Sequence, residues 1–569
     1  MRILLLHPED DPVRGLWARQ RWDRVIDLGF AGAETYARWS DWFDCPVESI
    51  GFARSNVIGV RDALAAGRGL LVDSWGVDWW EIISVRYTSP LLQAIAVENI
   101  AKTLRSEDEL FVSRPDFHAQ VLQAFVGRGV QTQKRVTLRS RVLGAWKRFR
   151  RLSYAQTKQV FWDKYDPEYR IRRRLSRPRV PNQHPFVLLP SAYINVSHTA
   201  LSYAKTLPET DFLLVNARQN GRCQRTPENV LQVDLSSYVD GMYPGHEYNG
   251  LIARWEDAQR QLCGNHLIRV LSEVGVLEGF AHELHHWLKV RDVWRNVYER
   301  EHIIAILSCD ASNPYTHIPL QLGKARGLPT IATHHGALDG QNLLKTTNAD
   351  ILLAKGNMER DYLLNRCRLP NSSIEVAAPA KPLPKPKGEG GNTIVFFSED
   401  YEVSGGRVEE YYREVLPRLV ELAENLNKRV ILKLHPAESM NDRRRMVNRV
   451  LSREQRDRLE IVSGALTDDF MQSIWFAVTV ISTTAVECAL RGIPVFACVW
   501  LENWPYKYAE HFCRFRIAAP LREANQILSI PMLLRNYSFC DENELWEEAP
   551  ERLQQLLHTS PKSELALAL

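Results

Sequence analysis

The 569-residue chain has no C-x-x-C pair and no metal-ligand spacing among its nine cysteines, which stand singly at 45, 223, 263, 309, 367, 488, 498, 513 and 540. So scattered and odd a set argues against a disulfide framework or a cysteine zinc site, and is expected of reduced thiols in the cytoplasm. No apolar run approaches the ~20 residues that span a bilayer, so any membrane contact is expected to be peripheral. The opening MRILLLHPEDDP has too short an apolar stretch for a secretory leader and no small-residue cleavage site; it reads as a first buried strand. Excess charge is also missing. A net charge of +4 over this length does not by itself point to nucleic acid, and no recognised nucleic-acid module accompanies it. Nor does an acidic D-x-D pair stand at a convincing strand end.

What is present is a globular composition, 45% hydrophobic and 25% charged. A single core stops growing at roughly 250 to 300 residues, so this length predicts two domains. Short apolar runs recur between amphipathic stretches: RILLL, RVIDLGF, GLLVDS, LFVSR, FVLLPSA, DFLLVNAR, IIAILSCD, PTIATHHG and DILLAKG. Near-continuous runs of this kind suit parallel strands covered by helices on both faces. Residues 378–392, APAKPLPKPKGEGGN, interrupt the pattern and predict a linker. The alternation restarts with TIVFFSED, RVILKLHP, LEIVSG, FAVTVIST and PVFACV. The expected fold is therefore α/β, with two doubly wound Rossmann-like domains, 1–377 and 393–569, facing a cleft at the carboxyl ends of their strands. A basic stretch at 134–179, with Val142, Trp146 and Phe149 at helical spacing, predicts a helical insertion in the first domain. It reads either as a solvated basic face or as a surface that docks on anionic lipid.

His435 ends the apolar run VILKL and Pro436 turns the chain out of the sheet, which places the ring at a strand tip on the cleft. Such an imidazole can donate to a phosphate oxygen or, when protonated, give a proton to a leaving group. An isolated His-Pro is more often a structural turn. In VISTTAVECALRGIPV another strand ends in Ser482, Thr483 and Thr484, whose hydroxyls and N–H groups would cap the next helix and form an anion site. Glu487, on the first turn of that helix, could accept from a ribose. A strand through PTIAT delivers His334, His335 and Gly336, then Asp339 and Gly340. Asp339 could be a general base or bind an acceptor hydroxyl, although Asp-Gly is also a common turn pair. Ser308 and Asp310 in ILSCD, and Tyr193, Asn195 and Ser197 after FVLLPSA, are further strand-tip candidates. Lys433 adds positive charge if its side chain faces the cleft.

Taken together, LKLHPAE, ISTTAVECALRGIPV and HHGALDG resemble the cleft motifs of GT-B glycosyltransferases, especially bacterial sialyltransferases and Kdo transferases that use CMP-activated acidic sugars to build surface polysaccharides. The resemblance implies that His435 contacts the donor phosphate and assists its departure, that Ser482 and Thr483 bind that phosphate, and that Asp339 is the base. The family pattern has two acids before the glycine, whereas here Leu338 precedes Asp339. It further implies an inverting, metal-independent transfer from a nucleotide sugar to a glycan or lipid-linked acceptor, with no cofactor and no nucleic-acid partner. Such an enzyme would be cytoplasmic, and peripheral at the inner face of the cell membrane if residues 134–179 dock there. A CDP-glycerol-type phosphotransferase or a nucleotide-sugar 2-epimerase would use the same strand-tip chemistry. A non-catalytic component of polysaccharide assembly is the alternative from another class.

Two motifs compete for attention. HELHH, residues 282–286, satisfies the zinc-hydrolase pattern H-E-x-x-H. At 100° per residue, however, His282 and His286 fall opposite the apolar face of Leu277, Phe280, Leu284, Trp287 and Leu288, toward solvent. A zinc peptidase is therefore the disfavoured reading. DSWGVDWWE, residues 73–81, sets Asp73, Asp78 and Glu81 beside three tryptophans; it suits either an acceptor site, with Asp78 as the candidate, or a packing cluster.

Overall fold

The computed structural model describes residues 1–132, 178–380 and 391–559, except 14, 16, 18–19, 52–53, 113–115, 128, 219–220, 240–244, 346–348 and 402–404. The basic stretch at 134–179, apart from its last two residues, and most of the linker at 378–392 therefore lie outside the described residues.

The apolar runs form parallel strands, and these sort into three sheets. The first contains β1 (Arg2–Leu6), β2 (Arg24–Asp27), β3 (Val47–Ser49), β4 (Glu109–Val112) and β5 (Gln131–Thr132), in the order β3-β2-β1-β4-β5. The second contains β6 (Asn182–Ser191), β7 (Phe212–Asn216), β8 (Val230–Asp234), β9 (Glu301–Ser308), β10 (Thr330–Ala332), β11 (Ile351–Ala354) and β12 (Ile374–Val376), in the order β12-β11-β10-β9-β6-β7-β8. The third contains β13 (Thr393–Phe397), β14 (Arg429–Lys433), β15 (Leu459–Val462), β16 (Ile474–Thr479), β17 (Val495–Cys498) and β18 (Ala519–Leu521), in the order β15-β14-β13-β16-β17-β18.

The doubly wound α/β class expected from the sequence is thus what the structure shows, and the second and third sheets supply the expected pair of Rossmann-like halves. The span 1–377, grouped in one domain by the sequence reading, carries two sheets. The run GLLVDS contributes only an isolated bridge between Val72 and Asp78. At the other end, the helix Pro550–His558 returns from the third unit: Leu553, Leu556 and Leu557 pack in the core beside β6, β7 and β9. All nine cysteines, which lie among the described residues, are free thiols. Among the described residues no helix is long and apolar enough to cross a membrane.

In each sheet the strand order reverses once, and at such a point the loops after two neighbouring strands diverge and leave a crevice. The reversals fall between β1 and β4, between β6 and β9, and between β13 and β16. Register sharpens the third: Phe397 of β13 stands opposite Lys433 on one side and Thr479 on the other, so three strands end level.

The units are locked by buried charge. Arg407 donates to Asp27 Oδ1 through Nε (2.8 Å) and Nη2 (2.7 Å), and to the carbonyls of His7, Pro8 and Asp10. Both side chains are buried, so stripping either partner would leave a lone charge at a cost of about 3–5 kcal/mol. Arg291 plays the same part beside Asp73 (2.6 Å) and Glu247 (2.6 Å), joining the first unit to the helices of the second.

Candidate functional site

The third sheet brings together the residues that sequence order keeps apart. His435 follows β14, Ser482 follows β16, and between them Glu399 follows the central strand β13. His435 Nε2 lies 3.8 Å from Glu399 Oε2, with the imidazole 40% and the carboxylate 20% exposed. Burial pushes the Glu399 carboxyl up from its ordinary range, while His435 and a hydrogen bond from Ser482 pull it back. Glu399 therefore sets a carboxylate beside the His435 ring at the same strand tips, and the sequence reading did not single it out.

His435 is held in one tautomer. Its Nδ1 accepts the Ala437 N–H at 3.2 Å, which leaves the neutral ring's hydrogen on Nε2, on the Glu399 side. Its own backbone N–H donates to Glu438 Oε2 at 2.7 Å. Glu438 in turn accepts from Ser398, Tyr412 and Arg443, the last a buried ion pair at 2.6 Å. Pro436 turns the chain out, as expected.

Ser482 is buried; its Oγ accepts the Thr484 N–H at 3.4 Å and lies 3.2 Å from Thr484 Oγ1. Thr483 makes no side-chain cap to the short helix Thr484–Leu490, contrary to the expected capping by all three hydroxyls. Its hydroxyl turns instead toward the second unit: a methyl group placed on Gly336 would sit 3.4 Å from Thr483 Oγ1. Glu487 is exposed on the first turn of that helix. Lys433 does not add charge to the tip; its buried Nζ donates to the carbonyls of Leu434 (3.2 Å) and Gly464 (2.6 Å).

Across this seam the second sheet presents His334, His335, Gly336 and Asp339. His334 repeats the turn of His435, its Nδ1 accepting the Gly336 N–H at 3.1 Å. Lys355, at the tip of β11, fixes the loop by donating to the carbonyls of His334 (2.6 Å) and Gly336 (2.9 Å). Desolvation pushes both imidazoles below their ordinary range, and His335 Nδ1 is buried without a hydrogen-bond partner. Asp339 accepts the Gln341 N–H at 3.0 Å and the Asn342 side-chain amide at 3.2 Å. Burial, reinforced by nearby Asp310, pushes its carboxyl up to about 6. Asp339 and His334 line a small cavity of about 30 Å³, room for a water or two.

Gly340 is a steric requirement. A Cβ there would fall 2.5 Å from the Tyr506 ring, and its N–H donates to Tyr508 Oη at 2.6 Å. Two tyrosines of the third unit thereby clamp the Asp339 loop. Asp310 is buried at the β9 tip and accepts from Ser312, and Ser308 donates to the Asp310 carbonyl. Ser197 is consumed by Ser191 and the Gly221 carbonyl, whereas Tyr193 is partly exposed and stacks with Arg218.

Two candidates are resolved by their partners. Asp78 is not available as an acceptor ligand: it caps the helix Trp79–Ile83 by accepting from Trp80 and Glu81, and its other oxygen accepts the Gly69 N–H. Trp79 and Trp80 are buried beside it, the packing-cluster alternative. In HELHH only His282 is exposed as expected; His286 is half-buried, and desolvation pulls its imidazole down to about 4. Leu284 and Leu288 are buried, and Glu283 pairs with Arg86 and accepts from Trp287.

No family model matches the chain in sequence, and neither does a curated protein. Among solved structures it is similar to a putative UDP-N-acetylglucosamine 2-epimerase from Listeria monocytogenes, at 10% identity and TM-score 0.39, over 67% of this chain and 98% of that one. A UDP-GlcNAc 2-epimerase from Methanocaldococcus jannaschii matches at 9% identity and TM-score 0.39, over 66% and 98%. Arabidopsis thaliana UGT89C1 matches at 12% identity and TM-score 0.37, over 66% and 100%. Likeness at this level assigns neither a family nor an activity.

Proposed function

We propose that the chain is an inverting, metal-independent glycosyltransferase that moves a sugar from a nucleotide donor, CMP-activated in the first instance, to a glycan or lipid-linked acceptor in surface-polysaccharide biosynthesis. The observation that carries this reading is the meeting of two chemically different strand tips across the Gly336–Thr483 seam. One side offers donors for an anionic leaving group: His435 Nε2–H and the hydroxyls of Ser482 and Thr483. Fixed donors of this kind stabilise charge as it develops, without solvent reorganisation. The other side offers Asp339, whose carboxyl titrates near the pH at which a general base is most effective. Glu399, 3.8 Å from His435 Nε2, helps orient the Nε2–H that donates to the departing phosphate, and Glu487 is the ribose acceptor. His334, His335, Gly336 and Gly340 shape the acceptor side. A basic stretch at 134–179 that docks on anionic lipid would hold the protein at the inner face of the membrane.

The test is transfer from CMP- and UDP-sugars to glycan acceptors in EDTA, with the anomeric configuration of the product followed by proton NMR. The expected outcome is a product of inverted configuration at a rate that EDTA does not change. Total loss of turnover in EDTA, restored by Mg²⁺, would contradict metal-independent departure. Conversion of the donor to its 2-epimer without acceptor would replace the transferase reading with the epimerase one.

A further inference from the structure

The first sheet carries a cluster at its own reversal point that the nucleotide chemistry leaves unused. His7 follows β1, and Asp116 and His118 follow its parallel neighbour β4. His7 Nε2 lies 3.1 Å from Asp116 Oδ2, and His118 Nδ1 lies 3.9 Å from the same oxygen. One ligand atom from each of the three lies within 4.8 Å of the other two. Asp116 Oδ1 is committed, accepting the Ala119 N–H at 3.0 Å as cap of the helix Phe117–Val126, so Oδ2 is aimed at the two rings. His118 is 7% exposed, and its buried Nδ1 has no hydrogen-bond partner. A buried polar atom left unpaired is unfavourable, and a ligand at this point would satisfy it. All three side chains line a cleft of about 1050 Å³ between the first and third units, together with Glu9, Arg449 and Trp504.

We propose that His7, Asp116 and His118 bind a divalent transition-metal ion of the Zn²⁺ type, with its remaining coordination position open to this cleft. Two imidazoles and one carboxylate suit Zn²⁺ and its neighbours, whereas Ca²⁺ and Mg²⁺ favour all-oxygen sites. Metal–ligand bonds of about 2.1 Å put tetrahedral ligand atoms about 3.4 Å apart, so a pair as much as 4.8 Å apart closes by up to about 1.4 Å on binding. One internal rearrangement accompanies this closure. In the metal-free ring His7 Nδ1 accepts the Glu9 N–H at 3.1 Å, and the ring hydrogen is on Nε2. Binding moves that hydrogen to Nδ1, frees the Nε2 lone pair for the ion, and turns the Glu9 N–H away; no proton is released by the shift. The site sits on a different sheet from His435 and Ser482, so the ion takes no part in donor cleavage.

The test is a Zn²⁺ titration of the metal-stripped full-length protein against a chromophoric chelator, with Mg²⁺ and Ca²⁺ in excess. One equivalent per chain is expected. Asp116→Asn, which keeps a capping oxygen, and His118→Ala should each weaken binding by at least about tenfold, the scale that even outer-shell partners reach. His282→Ala, on the HELHH helix, should leave the curve unchanged. No bound equivalent, or an equivalent that both site variants leave intact while circular dichroism shows them folded, would overturn the proposal and reduce the cluster to a His–Asp ion pair.

Discussion

Replacing Asp339 by asparagine is expected to lower kcat by about two to four orders of magnitude, the range a positioned general base contributes. The substitution is nearly isosteric, and its carbonyl oxygen can still accept the Gln341 N–H. The loss should therefore be chemical, with nucleotide affinity preserved. The pH profile supplies an independent signature. Because burial raises the carboxyl to about 6, the ionised base is present above that pH and lost below it. The kcat/KM of the parent enzyme should fall about tenfold per pH unit below 6, and that limb should be missing in the variant. An unchanged rate, or the same acid limb in both proteins, would remove Asp339 from the role of base.

His435→Ala should lower kcat by about 10²–10³, as expected when one fixed donor to a developing anion is removed. The argument rests on the turn rather than on the ring alone. In the neutral ring Ala437 N–H holds Nδ1 as acceptor, so Nε2 carries the hydrogen. Glutamine at the same position, which retains a donor but not a titratable one, should recover part of the loss. If it recovers everything, hydrogen bonding suffices; if His435→Ala retains the parental kcat, the strand tip is only a turn.

Much of this site was legible in the sequence because strand tips advertise themselves. An apolar run that stops at His-Pro or at Ser-Thr-Thr marks both a burial boundary and a change of chemistry, and the strand-end positions of His435, Ser482 and Thr483 are legible that way. Glu399 was missed because a Glu-Asp pair after a strand looks like any solvated loop. What distinguishes it is that β13 is central and reversal-adjacent, which depends on pairing with β14 and β16. The same non-local pairing hid the first sheet. Its strands were readable, yet β4 returns to β1 across a hundred residues, and nothing local says so. Asp78 failed for the opposite reason: an N-cap aspartate beside tryptophans has the same local pattern as a sugar site, and only its N–H partners tell them apart. Lys355 and Tyr508 act by supporting loops elsewhere in the chain, a role that leaves no motif.

The central claim, that the tips of β13, β14 and β16 hold a nucleotide phosphate, is most directly tested by thermal unfolding with CMP, CDP and UDP. At a hundredfold excess over its Kd the cognate nucleotide should stabilise the protein by about 2.7 kcal/mol. The shift should shrink in Ser482→Ala and His435→Ala and persist in Asp339→Asn. No shift with any of the three nucleotides, or a shift that survives both strand-tip variants undiminished, would contradict the account.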